Sequence, residues 1–219
     1  MINQEIKIKI AGIELLLLAD KAIYWPDKCI LILADVHIGK AASYRALGQP
    51  VPHGTTLSNL ARIDYLLGQY KVNEVIFLGD FFHSEKSHNQ KTLQALLKWR
   101  EVNKNLKCTL IRGNHDLHAG DPPEELNFEV ISEPLYLKPF AFRHIPQSEE
   151  NCLVIAGHVH PVFRIKGKGR QSLRLACFFM SNDMLLMPSF GEFTGGHEIK
   201  PNPQDKIFIT TGQEIWELR

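Results

Sequence analysis

Apolar runs and amphipathic segments alternate along the first half of the chain. A continuous apolar run at 29–34 is typical of a strand that is covered on both faces, and the segments 75–78 and 106–111 are predicted to be the next two buried strands. Between them, apolar residues recur at helical spacing over 55–70 and 91–102, which predicts two amphipathic helices. This βαβαβ order predicts parallel strands joined by right-handed crossovers.

The second half of the chain shows mainly short strand patterns with few helical segments between them. Outside the runs above, we predict strands at 1–10, 15–18, 22–25, 128–131, 135–142, 152–156, 173–180, 184–187, 206–211 and 214–218. The segments 181–183 and 211–213 are typical of hairpin turns. The longest candidate flexible stretches are 40–54, 166–172 and 193–204, and the last two are predicted to be surface loops. We therefore predict an α/β fold in which two mixed β-sheets pack together and helices flank them.

Length and composition indicate the general class of protein but do not indicate a function. The length of 219 residues predicts a single domain over 1–219, and a formal net charge of +1 neither demands nor excludes nucleic acid. The four cysteines show no metal-type spacing and lie in or beside apolar runs, which favours reduced thiols and a cytoplasmic location. We expect no membrane association, because the apolar run at 15–19 is far too short to span a bilayer. The sequence leaves the oligomeric state open.

Residues that commonly bind metal ions follow the apolar strands at five places. These are Asp35-Val36-His37, Gly79-Asp80, Gly113-Asn114-His115-Asp116, His144 and Gly157-His158-Val159-His160. Because functional groups gather beyond the carboxyl ends of strands in open α/β sheets, we expect these segments to converge. In Asp-x-His and His-x-His the two side chains would share one side of an extended segment, and the glycines would allow sharp turns.

Such a cluster suits two divalent ions that clamp the attacking and leaving oxygens of a phosphate ester. Asp80 is our choice for a bridging carboxylate, while Asp35 and Asn114 supply oxygen ligands and the histidines supply nitrogen. A mixed nitrogen and oxygen set without thiolate favours manganese, iron, zinc or cobalt over calcium or magnesium, and we expect manganese.

The five segments, in order over residues 35–160, resemble the motif series of the calcineurin-like metallophosphoesterases. This resemblance implies a four-layer αββα sandwich and a ligand set that can be carried over residue by residue. One ion would take Asp35, His37, Asp80 and His160, and the other would take Asp80, Asn114, His144 and His158. His115 would be the catalytic acid that binds no metal, oriented by Asp116.

Within this superfamily, Gly79-Asp80-Phe81-Phe82-His83 resembles the branch of double-strand-break repair nucleases, which favours a functional role for His83 over a purely supporting one. Further stretches, including 33–41, 157–161 and 188–196, resemble bacterial ligase-associated DNA damage response phosphoesterases. That resemblance implies action on DNA, as single strands or ends, alongside a DNA ligase and a helicase.

The predicted reaction is hydrolysis of a phosphodiester. A hydroxide bridging the two metals would attack phosphorus, and His115 would protonate the leaving group. Two alternatives stay open: a phosphoesterase for small molecules or cyclic nucleotides, and a metal-stabilised scaffold without turnover. The scaffold is disfavoured because it has no need of a spare acid such as His115.

Two further segments are candidates for substrate contact. The basic stretch Arg164, Lys166, Lys168, Arg170 and Arg174 can track a nucleic-acid backbone or form a solvated hairpin face. The segment 43–48 follows a ligand strand, and Tyr44 or Arg45 can meet substrate there.

Overall fold

The elements form two β-sheets and a small set of helices in a computed structural model that describes residues 3–46, 48, 50 and 54–218. In chain order, the strands are β1 (Glu5–Ile10), β2 (Ile13–Leu18), β3 (Ala22–Trp25), β4 (Ile30–Ala34), β5 (Glu74–Leu78), β6 (Lys107–Ile111), β7 (Phe128–Ile131), β8 (Leu135–Leu137), β9 (Phe140–Arg143), β10 (Leu153–Ala156), β11 (Pro161–Lys166), β12 (Ser172–Met180), β13 (Met184–Leu186), β14 (His197–Glu198), β15 (Lys206–Thr210) and β16 (Ile215–Leu218). The α-helices are α1 (Lys40–Ala46), α2 (Thr55–Gln69), α3 (Gln90–Val102) and α4 (Asn114–Ala119).

The first sheet contains β1 to β7 in sequence order. Its strands β1 to β4 pair antiparallel, whereas β4 to β7 pair parallel. The prediction of parallel strands in the βαβαβ segment is therefore confirmed. Because β4, β5 and β6 run in the same direction, their carboxyl ends lie at one edge of the sheet.

The second sheet has the order β14-β11-β12-β13-β10-β9-β8, with β15 and β16 added beside β12. Both predicted hairpins are confirmed, since β12 pairs antiparallel with β13 and β15 pairs antiparallel with β16. Within this sheet β9 and β10 are parallel neighbours, so their carboxyl ends also lie at one edge.

Several local predictions were wrong. The predicted surface loop 193–204 contains the short strand β14, which pairs with β11. The run 135–142 is an antiparallel hairpin of β8 and β9 rather than one strand. Strand β11 lies where no strand was predicted, directly after the His-x-His segment. The start of the candidate flexible stretch 40–54 is helix α1, and residues 47, 49 and 51–53 of that stretch lie outside the described residues.

The two sheets pack face to face through a shared apolar core. Ile32 and Ile76 of the first sheet belong to the same buried cluster as Phe142 and Ile155 of the second. Side chains alternate along β4, so that Leu33 points to the opposite face and packs with residues of α2 and α3. The predicted fold of two packed mixed sheets with flanking helices is thus confirmed.

Both long helices cover the first sheet. In the described part of the chain, the smaller apolar clusters of the second sheet contain no helical residue. None of the helices among the described residues is long and apolar enough to cross a membrane. The core shared by both sheets supports the proposal that the chain is one domain.

Candidate metal centre

The seven predicted metal ligands lie together where β4, β5 and β6 of one sheet and β9 and β10 of the other end. Six of them form two groups, in each of which the ligand atoms lie within 4.8 Å of one another. The groups are Asp35, His37 and His160, and Asp80, His144 and His158. Asn114 joins the second group, because its Oδ1 lies 2.8 Å from His144 Nε2. The structure therefore brings all the predicted ligands together.

The Asp80 carboxylate lies between the two groups. Its Oδ1 is 3.4 Å from His144 Nε2, and its Oδ2 is 3.9 Å from His37 Nε2. One oxygen thus faces each group, which is the arrangement that a carboxylate bridging two ions requires.

Several buried polar atoms of the centre lack a hydrogen-bond partner within the described residues. They are Asp35 Oδ1, both ring nitrogens of His37 and His160 Nε2. The Asp35 Oδ1 and His160 Nε2 atoms approach to 3.2 Å without a hydrogen bond, as two ligands of one ion would. Because unpartnered buried polar atoms are costly, these residues fit a bound cation. The donor set contains only nitrogen and oxygen, which suits a borderline divalent metal.

Backbone carbonyls select the tautomers of two ligand histidines. His144 Nδ1 lies 3.0 Å from Leu78 O, and His160 Nδ1 lies 3.2 Å from Gly195 O. A carbonyl only accepts, so each Nδ1–H donates and each Nε2 offers its lone pair to the centre. Burial also lowers the pKa values of His37 and His158, which keeps both imidazoles neutral at pH 7.

The backbone at the centre is strained. Five of the ligands have φ in the left-handed region: Asp35 at 54°, His37 at 49°, Asp80 at 51°, His158 at 67° and His160 at 49°. The expectation that the Asp-x-His and His-x-His segments are extended was therefore wrong. The side chains converge because the chain curls immediately after each strand, at an energetic cost that is characteristic of functional sites.

The motif glycines leave room for the ligands. Only Gly79 among the three has a positive φ, at 71°. At Gly113 a Cβ would collide with Asp80 Oδ1, and at Gly157 it would lie 2.6 Å from Asp35 Oδ2. The predicted turning role thus applies to Gly79, whereas Gly113 and Gly157 are needed for close approach.

The remaining motif histidine, His115, projects beside Asp80 and is partly open to solvent. Its Nε2 lies 3.9 Å from Asp80 Oδ2, and 38% of its side chain is exposed. Its Nδ1 lies 2.8 Å from the carbonyl oxygen of His83, so Nδ1–H donates there and Nε2 faces the centre. The half-buried ring of His83 stacks on His115 with 5.1 Å between centroids, and burial lowers the His83 pKa to about 4.

Asp116 does not orient His115 as predicted. Its carboxylate accepts hydrogen bonds from the backbone N–H groups of Phe81, Phe82 and Gly113, at 3.0, 3.2 and 2.9 Å. Burial raises the pKa of Asp116 to about 6. Asp116 therefore links the segments that follow β5 and β6, and the orienting contact to His115 comes from His83.

Some supporting residues were not predicted from the sequence. Glu133 accepts hydrogen bonds from the backbone of His144 at 2.7 Å and of Ile145 at 3.0 Å. Ser189 donates to the carbonyl of Asp35 at 2.8 Å. Ser189 lies in the stretch 188–196, whose family resemblance was its only sequence signal, and Glu133 gave none.

The two candidate substrate segments have different surroundings. In the basic stretch, Arg164 forms an ion pair with Glu198 at 2.9 Å, and Arg174 donates to the carbonyl of Gly196. These contacts favour a structural role for both arginines. In the other segment, residues 43–46 belong to α1, and the ring of Tyr44 lies 5.9 Å from that of His83.

Comparison with known proteins agrees with this geometry. The family model described as calcineurin-like phosphoesterase matches residues 30–176. A crystal structure of Pseudomonas putida nuclease MPE is 46% identical, with a TM-score of 0.87, and the match covers 98% of this chain and 100% of that one. A protein of unknown function from Aquifex aeolicus, AQ665, is 18% identical, with a TM-score of 0.40 and coverage of 64% and 82%. A search of curated proteins gave no significant match.

Proposed function

The chain belongs to the calcineurin-like phosphoesterase family, and we propose that it is a nuclease that hydrolyses phosphodiester bonds in DNA with two bound metal ions. Family membership makes it a metal-dependent hydrolase of phosphate esters. The observation that carries the proposal is the pair of ligand groups with Asp80 between them.

In this proposal, Asp35, His37 and His160 hold one ion, and Asn114, His144 and His158 hold the other, with Asp80 shared. When bound, the ions would lower the pKa of the attacking water and offset negative charge on the phosphate. Manganese is the proposed metal, in keeping with the mixed nitrogen and oxygen donors.

His115 is the proposed general acid. Its Nδ1–H is held by the His83 carbonyl, so a proton on Nε2 points toward the centre, where it can pass to the leaving oxygen. His83 supports this group through its backbone and through ring stacking. Asp116 contributes by holding the two segments that carry these histidines.

Two observations support a nucleic-acid substrate. The Pseudomonas putida protein, described as a nuclease, is similar to this chain over nearly its whole length. In addition, His158 is exposed and His115 is partly exposed, so the centre opens toward solvent and a polymer can reach it. We extend the proposal to DNA repair alongside a ligase and a helicase, and to the cytoplasm, where the free cysteines would stay reduced.

The experiment that tests this function is a parallel assay of the purified protein with Mn²⁺. The substrates are bis-p-nitrophenyl phosphate, p-nitrophenyl phosphate, cyclic nucleotides, and single- and double-stranded DNA. We expect hydrolysis of the diester and of DNA, loss of both activities in Asp80→Asn, and no change in the control Asp27→Asn, whose side chain is exposed. Activity on monoesters alone would refute the proposed nuclease activity. A lack of manganese-stimulated hydrolysis of every substrate would refute the proposed manganese-dependent activity.

A further inference from the structure

Lys40 is a buried lysine at the edge of the metal centre. It begins α1, and only 8% of the residue is exposed. The preceding segment is held against the one that carries Asp80: His37 N donates to Asp80 O at 2.9 Å, and His83 N donates to Ile38 O at 3.1 Å. Lys40 N in turn donates to His37 O at 3.1 Å. The backbone of Lys40 is therefore held close to the segments that carry the proposed ligands.

The Lys40 ammonium interacts electrostatically with four groups of the centre. Burial lowers its pKa, and the charges of Asp35 and Asp80 partly oppose that effect. Its own charge helps to lower the pKa values of His37 and His83. Yet within the described residues no carboxylate forms an ion pair with it. The side chain is thus largely buried without a paired carboxylate, while Nζ is not among the fully enclosed polar atoms of the described residues, so an anion that reaches the centre can pair with the ammonium.

The two nearby carboxylates are already committed to other groups. Asp35 receives the backbone N–H of His158 at 2.9 Å and faces His160, while Asp80 receives that of His115 at 2.8 Å and faces His37 and His144. In the proposed function both carboxylates also bind metal ions, which leaves less negative charge to compensate Lys40.

The part of the centre near Lys40 contains a third cluster of possible metal ligands. Ring nitrogens of His37, His83 and His115 lie within 4.8 Å of one another. The positive charge of Lys40, which acts on two of these imidazoles, repels a third cation and attracts an anion. The electrostatics of this part of the centre therefore favour an anion over a third metal ion.

We propose that Lys40 binds a non-bridging oxygen of the substrate phosphate at the metal centre. This inference rests on the proposed function, because the phosphate is the substrate group of that reaction. Lysine is well suited to the role, since its ammonium is a compact charge with three donors. Lys40 would thus add a phosphate contact from α1 to those that the metal ions supply.

The test compares Lys40→Met and Lys40→Gln, which remove the charge, with Lys40→Arg, which keeps it. Lys98→Met is the control, because Lys98 is exposed on α3. Calorimetry measures the affinity of manganese-loaded protein for inorganic phosphate, elemental analysis measures bound manganese, and kinetics give KM and kcat for bis-p-nitrophenyl phosphate. We expect the neutral variants to bind wild-type amounts of manganese and to bind phosphate about tenfold more weakly or worse. KM should rise accordingly, with Lys40→Arg in between and Lys98→Met unchanged.

Unchanged phosphate affinity and KM in the neutral variants would overturn the proposal. So would loss of manganese, or failure of both neutral variants to fold, because either result makes Lys40 a structural residue. A third manganese ion in the wild-type protein would also overturn it. If the wild-type protein hydrolyses no diester, the proposed function fails, but phosphate binding still reports on Lys40 separately. If the wild-type protein hydrolyses the diester but the Lys40 variants bind phosphate as the wild type does, the role of Lys40 is rejected and the proposed function stands.

Discussion

At the scale of single residues, the centre combines strained ligands with glycines that make space for them. Asp35, Asp80 and His158 occupy left-handed backbone that glycine would adopt without strain. Glycine, however, has no side chain that could bind a metal ion. The strain persists because neighbouring groups hold the same residues, as when the Asp35 carboxylate accepts the His158 N–H. The need for a metal-binding side chain, rather than the backbone conformation, therefore explains the residue type at these positions.

Gly113→Ala should impair metal binding because its new Cβ would collide with Asp80. We expect manganese affinity to fall by about tenfold or more, as when other groups that orient ligands are lost. The control is Gly68→Ala in α2, where a Cβ meets nothing within 4 Å and helix propensity should add about 0.5–1 kcal/mol of stability. Manganese titration and urea unfolding measure the two effects. Equal manganese affinity in both variants would show that close packing at Gly113 is unimportant.

His115→Asn should separate proton transfer from metal binding. In the proposed function His115 holds no metal, so bound manganese should stay at the wild-type level. Turnover of bis-p-nitrophenyl phosphate should fall by about a hundredfold or more, because the leaving oxygen loses its acid. Elemental analysis and steady-state kinetics provide the measurements. Wild-type turnover would remove His115 from the mechanism, and loss of manganese would make it a ligand.

At the scale of elements, the segments after β5 and β6 are joined by one buried side chain. Asp116→Ala would leave the backbone N–H groups of Phe81, Phe82 and Gly113 without their acceptor. We expect a loss of about 3 kcal/mol in the free energy of unfolding, together with reduced turnover as His115 loses its position. The control Asp121→Ala breaks only an exposed ion pair with Arg112 and should cost less than about 1 kcal/mol. Similar costs in urea unfolding of the two variants would contradict this linking role.

The elements also show which parts of the centre can be predicted from sequence. Strands β4, β5 and β6 are mainly apolar and buried, so their ends and the polar residues that follow were predictable. Helix α1 was not, because its seven residues are too few to show a helical pattern of apolar positions. The backbone contacts of the preceding segment place Lys40 near the site. Strand β11 starts at a proline and is only partly buried, which weakens its pattern. The orienting contact to His115 is a backbone carbonyl, which no side-chain motif can indicate.

At the scale of the whole molecule, the centre joins the two sheets. Asp35, Asp80 and Asn114 follow strands of the first sheet, whereas His144 and His158 follow strands of the second. Within the proposed ligand groups, each ion would take donors from both sheets. Metal binding should therefore stabilise the packing of one sheet on the other, in addition to the core they share.

Manganese should accordingly raise the thermal stability of the entire chain. Metal binding to the folded state alone adds about 2.7 kcal/mol at one hundred times the dissociation constant, which for a chain of this size corresponds to about 5–10 °C in Tm. Thermal unfolding with excess manganese and with a chelator measures the difference. Because Asp80 faces both ligand groups, Asp80→Asn should lose most of the shift, whereas the exposed Asp27→Asn should keep it. An equal Tm with and without manganese would mean that the folded chain has no binuclear site coupling its sheets.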